Sequence, residues 1–155
     1  MKLIKKHNNL NLFIEENLVE RIGSIALKHF PNEFGGFLVG KYSDNFESVE
    51  ITDVILPKKY KSSPTQFQRS IDGLEGVFEK IFHERQEYYI GEWHTHPNGA
   101  SHYSITDLNA MIETVSCETV QIKNPILLIL SVTKNSVRNF TFYYYDNEKL
   151  ISYEQ

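Results

Sequence analysis

The segment PILLILSVT, residues 125–133, restricts the fold more than any other part of the sequence. A strand with one solvated face alternates apolar and polar residues, whereas a near-continuous apolar run is typical of a strand covered on both faces. The segment therefore predicts a central strand in a sheet that carries packing layers on its two sides.

The rest of the sequence predicts helices and strands that surround this central strand. Apolar residues recur at helical spacing over residues 15–30 and 73–86, and again in a third helix that starts near Ser104. Asp72 and Glu75 have the spacing of a capping box for the second helix. Strands are predicted at residues 35–43, 48–57, about 67–71, 88–96, 125–133 and 137–145. The order α-β-β-β-α-β-α-β-β predicts an α/β fold in which helices pack against a mixed sheet, and without an evident linker we expect one domain over 1–155.

Length and composition exclude several classes of protein. A chain of 155 residues is too short for a large barrel, which needs about 250 residues. The balance of 16 basic and 20 acidic residues lacks the charge of a general nucleic-acid binder. The single cysteine, Cys117, excludes an intrachain disulfide and any zinc site built mainly from cysteine. We find neither a long apolar segment nor a leader peptide, so we expect a cytoplasmic protein with no membrane partner.

Residues 91–107, GEWHTHPNGASHYSITD, contain the strongest candidate for chemistry. Side chains at alternate positions of a strand share a face, so His94 and His96 can converge on one ion. Pro97 and the residues after it end the strand, and Ser104 opens a helix whose first turn contains Asp107. Two histidines and one carboxylate with an open fourth position are typical of a catalytic zinc site. The alternative is ordinary structure: a polar strand end and a Ser104–Asp107 helix cap.

Neighbouring residues have weaker indications. His102 lies in the motif loop, where we expect it to face solvent or substrate rather than bind metal. Glu92 shares the strand face of His94 and is either its hydrogen-bond partner or a polar lining residue. Trp93 points to the opposite face and is expected in the core, and Cys117 is expected to be a small buried residue.

A lysine-containing loop, PKKYKSSP at residues 57–64, is the other polar feature of the sequence. It carries Lys58, Lys59 and Lys61. Charged loop residues are usually just solvated, so we favour an exposed loop over a surface that binds a partner.

His94-Thr95-His96-Pro97, six residues, Ser104, two residues and Asp107 together resemble the JAMM motif, H-x-H-P-x6-S-x2-D, of JAB/MPN-type metallopeptidases. That family also has a glutamate before a glycine-rich strand, and PNEFGGFLVG supplies it as Glu33. The resemblance implies an MPN fold over about residues 10–146, with a mixed, mostly antiparallel sheet and about three helices. It further implies that His94, His96 and Asp107 bind one Zn²⁺. Glu33 would then be the general base, and Ser104 would donate a hydrogen bond to the oxyanion.

The same resemblance indicates classes of substrate. Enzymes of this family hydrolyse the bond after the C-terminal residue of ubiquitin or a ubiquitin-like protein. Small bacterial members remove a conjugated cGAS-like nucleotidyltransferase from its targets in CBASS antiphage systems, and the chain is similar to that group. We therefore expect the C-terminal tail of a ubiquitin-like protein or a conjugated nucleotidyltransferase as partner. The alternatives are C-terminal processing of a sulfur carrier and a non-catalytic MPN scaffold.

Overall fold

A computed structural model of the protein describes residues 2–6 and 10–153, and this region forms a sheet with helices on both faces. The strands are β1 (Lys2–Lys5), β2 (Asn11–Glu15), β3 (Gly35–Tyr42), β4 (Ser48–Ile55), β5 (Tyr60–Ser62), β6 (Phe67–Arg69), β7 (Tyr88–Pro97), β8 (Ile126–Val132), β9 (Val137–Asp146) and β10 (Lys149–Ser152). The helices are α1 (Glu16–His29), α2 (Glu75–Arg85) and α3 (Ile105–Ser116).

Eight strands form the main sheet in the order β1-β2-β4-β3-β7-β8-β9-β10. The β2–β4 and β7–β8 pairs are parallel, and the other pairs are antiparallel. The predicted α/β fold with a mixed, mostly antiparallel sheet is therefore confirmed. Every residue of β8 is buried, as expected for a central strand. Strand β7 pairs with β8 in parallel, and α3 connects the two strands, so these three elements form a β-α-β unit.

The two faces of the sheet carry different helices. On one face α1 buries Leu18, Ile22 and Ala26 in the same cluster as Leu128 and Trp93. On the opposite face α3 packs through Met111 against Leu127 and Ile129 of β8, while α2 packs against β3. Because side chains alternate along a strand, the two clusters take alternate residues of β8. His94 and His96 of β7 lie on the face that carries α2 and α3.

Four strands in the structure were not predicted, namely β1, β2, β5 and β10. Strand β5 lies inside the segment that we interpreted as a loop, and it pairs with β6 in a separate two-stranded sheet. Strand β10 follows a tight turn in which Asn147 and Glu148 both have positive φ, 48° and 64°. Glutamate is an unusual residue in that conformation, so the local sequence did not indicate a hairpin.

The start of α2 also differs from the prediction. The helix begins at Glu75 after Leu74, and no side chain caps it, so the predicted Asp72–Glu75 capping box is wrong. Gly73 has a φ of 83°, a left-handed conformation that keeps Asp72 outside the helix.

Candidate metal centre

The candidate metal ligands meet where β7 ends and α3 begins. His94 Nε2 lies 3.1 Å from Asp107 Oδ1, and His96 Nε2 lies 3.3 Å from Asp107 Oδ2. The two imidazole Nε2 atoms are 3.2 Å apart. The structure thus brings together three donor groups from one segment, in which the outermost two, His94 and Asp107, are 13 residues apart.

The spacing of these donor atoms fits a zinc ion. Tetrahedral zinc with bonds of about 2.0–2.1 Å to nitrogen or oxygen separates its ligand atoms by about 3.3 Å. The two imidazole Nε2 atoms are 3.2 Å apart, and they lie 3.1 and 3.3 Å from the two different oxygens of the Asp107 carboxylate, so the three donor groups are close to this spacing. Imidazole nitrogen and carboxylate oxygen are also donor types that zinc prefers. The residues present therefore fit the metal that the motif implies, and the fourth corner has no protein ligand in this cluster.

The 98–103 loop orients His96. Its Nδ1 lies 2.9 Å from the carbonyl oxygen of Ala100. A carbonyl only accepts hydrogen bonds, so Nδ1 carries the proton and Nε2 is the nitrogen that can bind a metal. Sequence reasoning missed Ala100 because a main-chain carbonyl leaves no trace in residue type. The loop itself is held by Ser131, whose hydroxyl donates to the Gly99 carbonyl, and by Tyr143, whose hydroxyl donates to the Ser101 carbonyl at 3.0 Å.

Asp107 caps its helix and also belongs to the candidate metal site. Ser104 Oγ accepts a hydrogen bond from the Asp107 N–H at 3.1 Å, and the Ser104 N–H donates to Asp107 Oδ2 at 2.8 Å. This reciprocal capping box confirms the predicted cap of α3. Because the carboxylate is tied to its own helix start, it is held in place before any ion binds.

The electrostatics of the cluster favour a charged Asp107. Burial raises the pKa of Asp107, but hydrogen bonds from His94 and His96 outweigh burial and hold the pKa far below its usual value. Burial alone would lower the pKa of His96, yet the hydrogen bonds to Asp107 and Ala100 raise it overall. A metal cation can bind to a carboxylate and two imidazoles arranged in this way by displacing the protons between them.

Glu33 lies beside this cluster although it is 61 residues before His94 in the chain. Its N–H donates to the Ser63 carbonyl at 2.8 Å, and its carbonyl accepts a hydrogen bond from the Ser62 hydroxyl. Burial raises the pKa of Glu33, and the nearby His94 and His96 act in the opposite direction. A carboxyl whose pKa is raised by burial next to a metal site has the properties of a proton acceptor.

Gly35 allows β3 to approach the ligand strand closely. In the antiparallel register Gly35 is opposite His94. A Cβ atom at Gly35 would lie 2.1 Å from the Trp93 carbonyl oxygen and 2.8 Å from the His94 Cβ. Only glycine fits there, which gives the first glycine of the GGFLVG segment a steric role next to the site.

The other sequence candidates lie outside the donor cluster. His102 is exposed. Glu92 does not pair with His94; it forms an ion pair with Arg69 and accepts a hydrogen bond from the Tyr89 hydroxyl at 3.1 Å. Trp93 is 1% exposed, which confirms its predicted place in the core. Cys117 is exposed at the end of α3, so the prediction of a buried cysteine is wrong.

The lysines of the 57–64 segment are all exposed, as expected, although the segment is partly strand rather than loop. Lys58, Lys59 and Lys61 project from the region that also holds the backbone of Glu33. Within residues 2–6 and 10–153 no helix is both long and apolar enough to cross a membrane.

Comparison with solved structures shows the fold. The solution structure of a protein from Desulfitobacterium hafniense superimposes with a TM-score of 0.63 at 18% identity, over 91% of this chain and 88% of that chain. A second solution structure, of a protein from Salinibacter ruber, gives a TM-score of 0.54 at 16% identity, over 89% of each chain. At these identities the likeness concerns the architecture alone.

Comparison at the sequence level shows the family. A protein of Enterobacter hormaechei subsp. hoffmannii (strain UCI 50), named CD-NTase/cGAS isopeptidase, is 32% identical over 123 residues. The match covers 77% of this chain and 66% of that protein, so it spans slightly less than two thirds of the relative's length. The family described as prokaryotic homologs of the JAB domain matches residues 15–143, which include Glu33 and all three clustered donors. The chain therefore belongs to the family of prokaryotic JAB-domain proteins.

Proposed function

We propose that this protein is a zinc-dependent isopeptidase or peptidase that cleaves the bond after the C-terminal residue of a ubiquitin-like or conjugated protein. The observation that carries the proposal is the cluster of His94, His96 and Asp107, whose donor atoms lie within 4.8 Å of one another, with the partly buried Glu33 beside it. The relative named CD-NTase/cGAS isopeptidase supports a conjugated cGAS-like nucleotidyltransferase as substrate, in bacterial antiviral defence.

His94, His96 and Asp107 would hold the zinc ion. When bound, zinc supplies Lewis-acid chemistry, because it acidifies a water molecule and polarises the scissile carbonyl. The carboxylate of Glu33 accepts a proton from the attacking water and transfers it to the nitrogen of the leaving amine. A C–O bond forms and the C–N bond breaks, giving a free carboxyl terminus and a free amine.

Ser104 stabilises the negative charge that develops on the carbonyl oxygen. Its Oγ already accepts a hydrogen bond from the Asp107 N–H at 3.1 Å. A hydroxyl has one donor and two lone pairs, so this bond leaves the O–H able to donate to the oxyanion. Capping the helix and assisting catalysis are therefore compatible for the same side chain.

The test combines metal analysis with three candidate substrates. Ubiquitin, a sulfur carrier and a cGAS-like nucleotidyltransferase are each fused through their C-termini to a reporter and incubated with the purified protein. We expect about one zinc per chain and cleavage of the nucleotidyltransferase fusion. Glu33→Gln lowers kcat by about 10²–10⁴-fold, the usual contribution of a general base, with zinc content unchanged. Removal of zinc by a chelator abolishes cleavage, and added zinc restores it.

Glu47→Gln is the matched control, because Glu47 is an exposed carboxylate in the turn between β3 and β4. It should leave kcat unchanged. Full cleavage by the Glu33→Gln variant, or by the metal-free protein, contradicts the mechanism. Zinc-loaded protein that cleaves none of the three fusions is the result expected of a non-catalytic scaffold.

A further inference from the structure

Thr95 is the residue between the two candidate histidine ligands, and its side chain lies on the other face of the sheet. It is fully buried, with 0% of its surface exposed. Valine has nearly the same shape and suits a buried strand position better, since a buried hydroxyl costs free energy unless it is hydrogen-bonded. A buried threonine at this position therefore needs a hydrogen-bond partner for its hydroxyl.

The partner is the main chain of Phe34, the residue directly after Glu33. The Phe34 N–H donates to Thr95 Oγ1 at 3.0 Å, and the Thr95 N–H donates to the Phe34 carbonyl at 2.9 Å. In a regular antiparallel ladder the Phe34 N–H would bond to a main-chain carbonyl. Here a side chain takes that place at the residue directly before β3, next to Gly35.

The side chain of Phe34 is fixed as well. Phe34 is 2% exposed, and its ring stacks on the His29 ring with centroids 3.6 Å apart and packs edge-on against Trp93 at 5.9 Å. Its backbone and its side chain are thus both held from the face opposite the metal cluster. The backbone of the adjacent Glu33 is held on one side by Phe34 and on the other by its own hydrogen bonds to Ser62 and Ser63, and its side chain turns only about bonds that start from this backbone.

We infer that Thr95 is a positioning residue that holds Glu33 beside the candidate ligands. One strand segment then supplies two of the candidate ligands, His94 and His96, and positions the proposed base through the residue between them. The inference rests on the proposed function for its kinetic consequence. The structural part of the inference depends on the hydrogen bonds between Phe34 and Thr95. Loss of the Thr95 hydroxyl should displace Glu33 and leave the three clustered donors in place.

The experiment compares Thr95→Val with Thr95→Ser in the full-length, zinc-loaded protein. Crystal structures should show the Glu33 carboxylate of Thr95→Val displaced by about 1 Å, a shift of the size that costs roughly 100-fold in rate when reacting groups are misplaced. His94, His96 and Asp107 should superimpose on the wild type. Thr95→Ser retains the acceptor oxygen and should restore the wild-type position of Glu33.

Hydrogen exchange supplies a second readout that needs neither crystals nor substrate. The Phe34 amide should exchange at least about 10-fold faster in Thr95→Val, because it loses its acceptor. Thr52→Val is the matched control, since Thr52 donates a hydrogen bond to the Val39 carbonyl at 3.3 Å elsewhere in the sheet. The control should change neither Glu33 nor the Phe34 amide.

With a fusion that is cleaved, Thr95→Val should lower kcat about 10- to 100-fold at unchanged KM. Combined with Glu33→Gln it should add no further loss, because both changes remove the same function. An unmoved Glu33 carboxylate, or ligands displaced as far as Glu33, overturns the inference. Failure of every fusion to be cleaved counts against the proposed function, and the position of Glu33 and the exchange of the Phe34 amide still decide the role of Thr95.

Discussion

Helices α2 and α3 pack on the same face of the sheet but are anchored very differently. Helix α3 starts with a reciprocal capping box and buries Met111 to 3% exposure. Helix α2 buries Ile81 to 9% exposure but has no side-chain cap, and it leaves Phe82 47% exposed, as α3 leaves Ile105 69% exposed in its first turn. The difference matches the position of the candidate metal site, since the start of α3 carries Asp107 of that site whereas α2 contributes no residue to it. The capped helix is the one on which the geometry of the candidate ligands depends.

A wide apolar groove of about 1350 Å³ lies beside α2. It lies between α2 and the segment that follows α3, and it is lined by aromatic residues that include Phe37, Phe78 and Tyr89. Neither Glu33 nor the three clustered donors line this groove. The groove and the cluster of donor atoms therefore lie at different places on this face. We assign the candidate chemistry to the donor atoms and not to the groove.

The largest effect in this comparison is expected at Asp107. Asp107→Ala removes a proposed metal ligand and one half of the α3 cap together. Zinc affinity should fall by more than the roughly 100-fold that loss of a supporting residue costs. The free energy of unfolding of the metal-free protein should fall by about 1 kcal/mol, as for other caps. Chelator competition measures the first quantity and urea denaturation the second.

Asp107→Asn separates the two roles of this residue. The amide oxygen can still accept a hydrogen bond from the Ser104 N–H, so the cap is largely kept while the negative charge of the proposed ligand is lost. We expect zinc affinity close to that of Asp107→Ala and a stability nearer the wild type. A variant that binds zinc as tightly as the wild type would show that Asp107 is only a cap.

The second prediction compares one apolar side chain from each helix. Met111→Ala should lower the free energy of unfolding by about 2–4 kcal/mol, because it leaves a cavity against β8. Phe82→Ala in α2 should change it by no more than about 0.5 kcal/mol, since Phe82 is nearly half exposed. Denaturation of the two variants measures the difference. Equal losses would mean that Phe82 contributes as much to packing as Met111 despite its exposure.

The smallest effect concerns the charges that secure the end of α2. Asp53 of β4 pairs with Arg21 of α1 at 2.6 Å and with Arg85 of α2 at 3.3 Å. Burial raises the pKa of Asp53, but the Val54 N–H and the two arginines outweigh burial and lower it from its usual value. A lowered pKa contributes stability above the unfolded value near 3.8, and this stability is lost as the pH falls through the folded pKa.

Asp53→Asn should therefore reduce the melting temperature slightly at pH 7, and the difference from wild type should shrink as the pH falls below about 4. Thermal melts at several pH values measure it. A difference that stays constant down to pH 2 would show that packing, and not the charge, holds this end of the helix.

The local patterns of the sequence predicted the elements that carry the site. The apolar run of β8 indicated a strand covered on both faces, and burial of all seven residues of β8 confirms it. The alternation around His94 and the Ser104–Asp107 spacing predicted a strand end and a capped helix, and both are present. These predictions depend on contacts between residues close in sequence, which periodicity and capping chemistry describe well.

Longer-range features required the tertiary structure. The edge strands β1 and β10 and the short β5 are stabilised by pairing with partners, so their own four or three residues give little signal. The exposure of Cys117 and the pairing of Glu92 with Arg69 depend on which elements lie beside them.

By itself the sequence determined the residue types of the site and the local geometry that lets two imidazoles and one carboxylate converge. Only the tertiary structure decided where Glu33 lies, because 60 residues separate it from the ligand segment and no local rule relates the two. Their proximity comes from the antiparallel pairing of β3 with β7, which places Gly35 opposite His94, and from the hydrogen bonds between Phe34 and Thr95. Pairing between distant strands is set by burial and backbone hydrogen bonding over the whole sheet, which is why the motif alone could name a candidate base but could not position it.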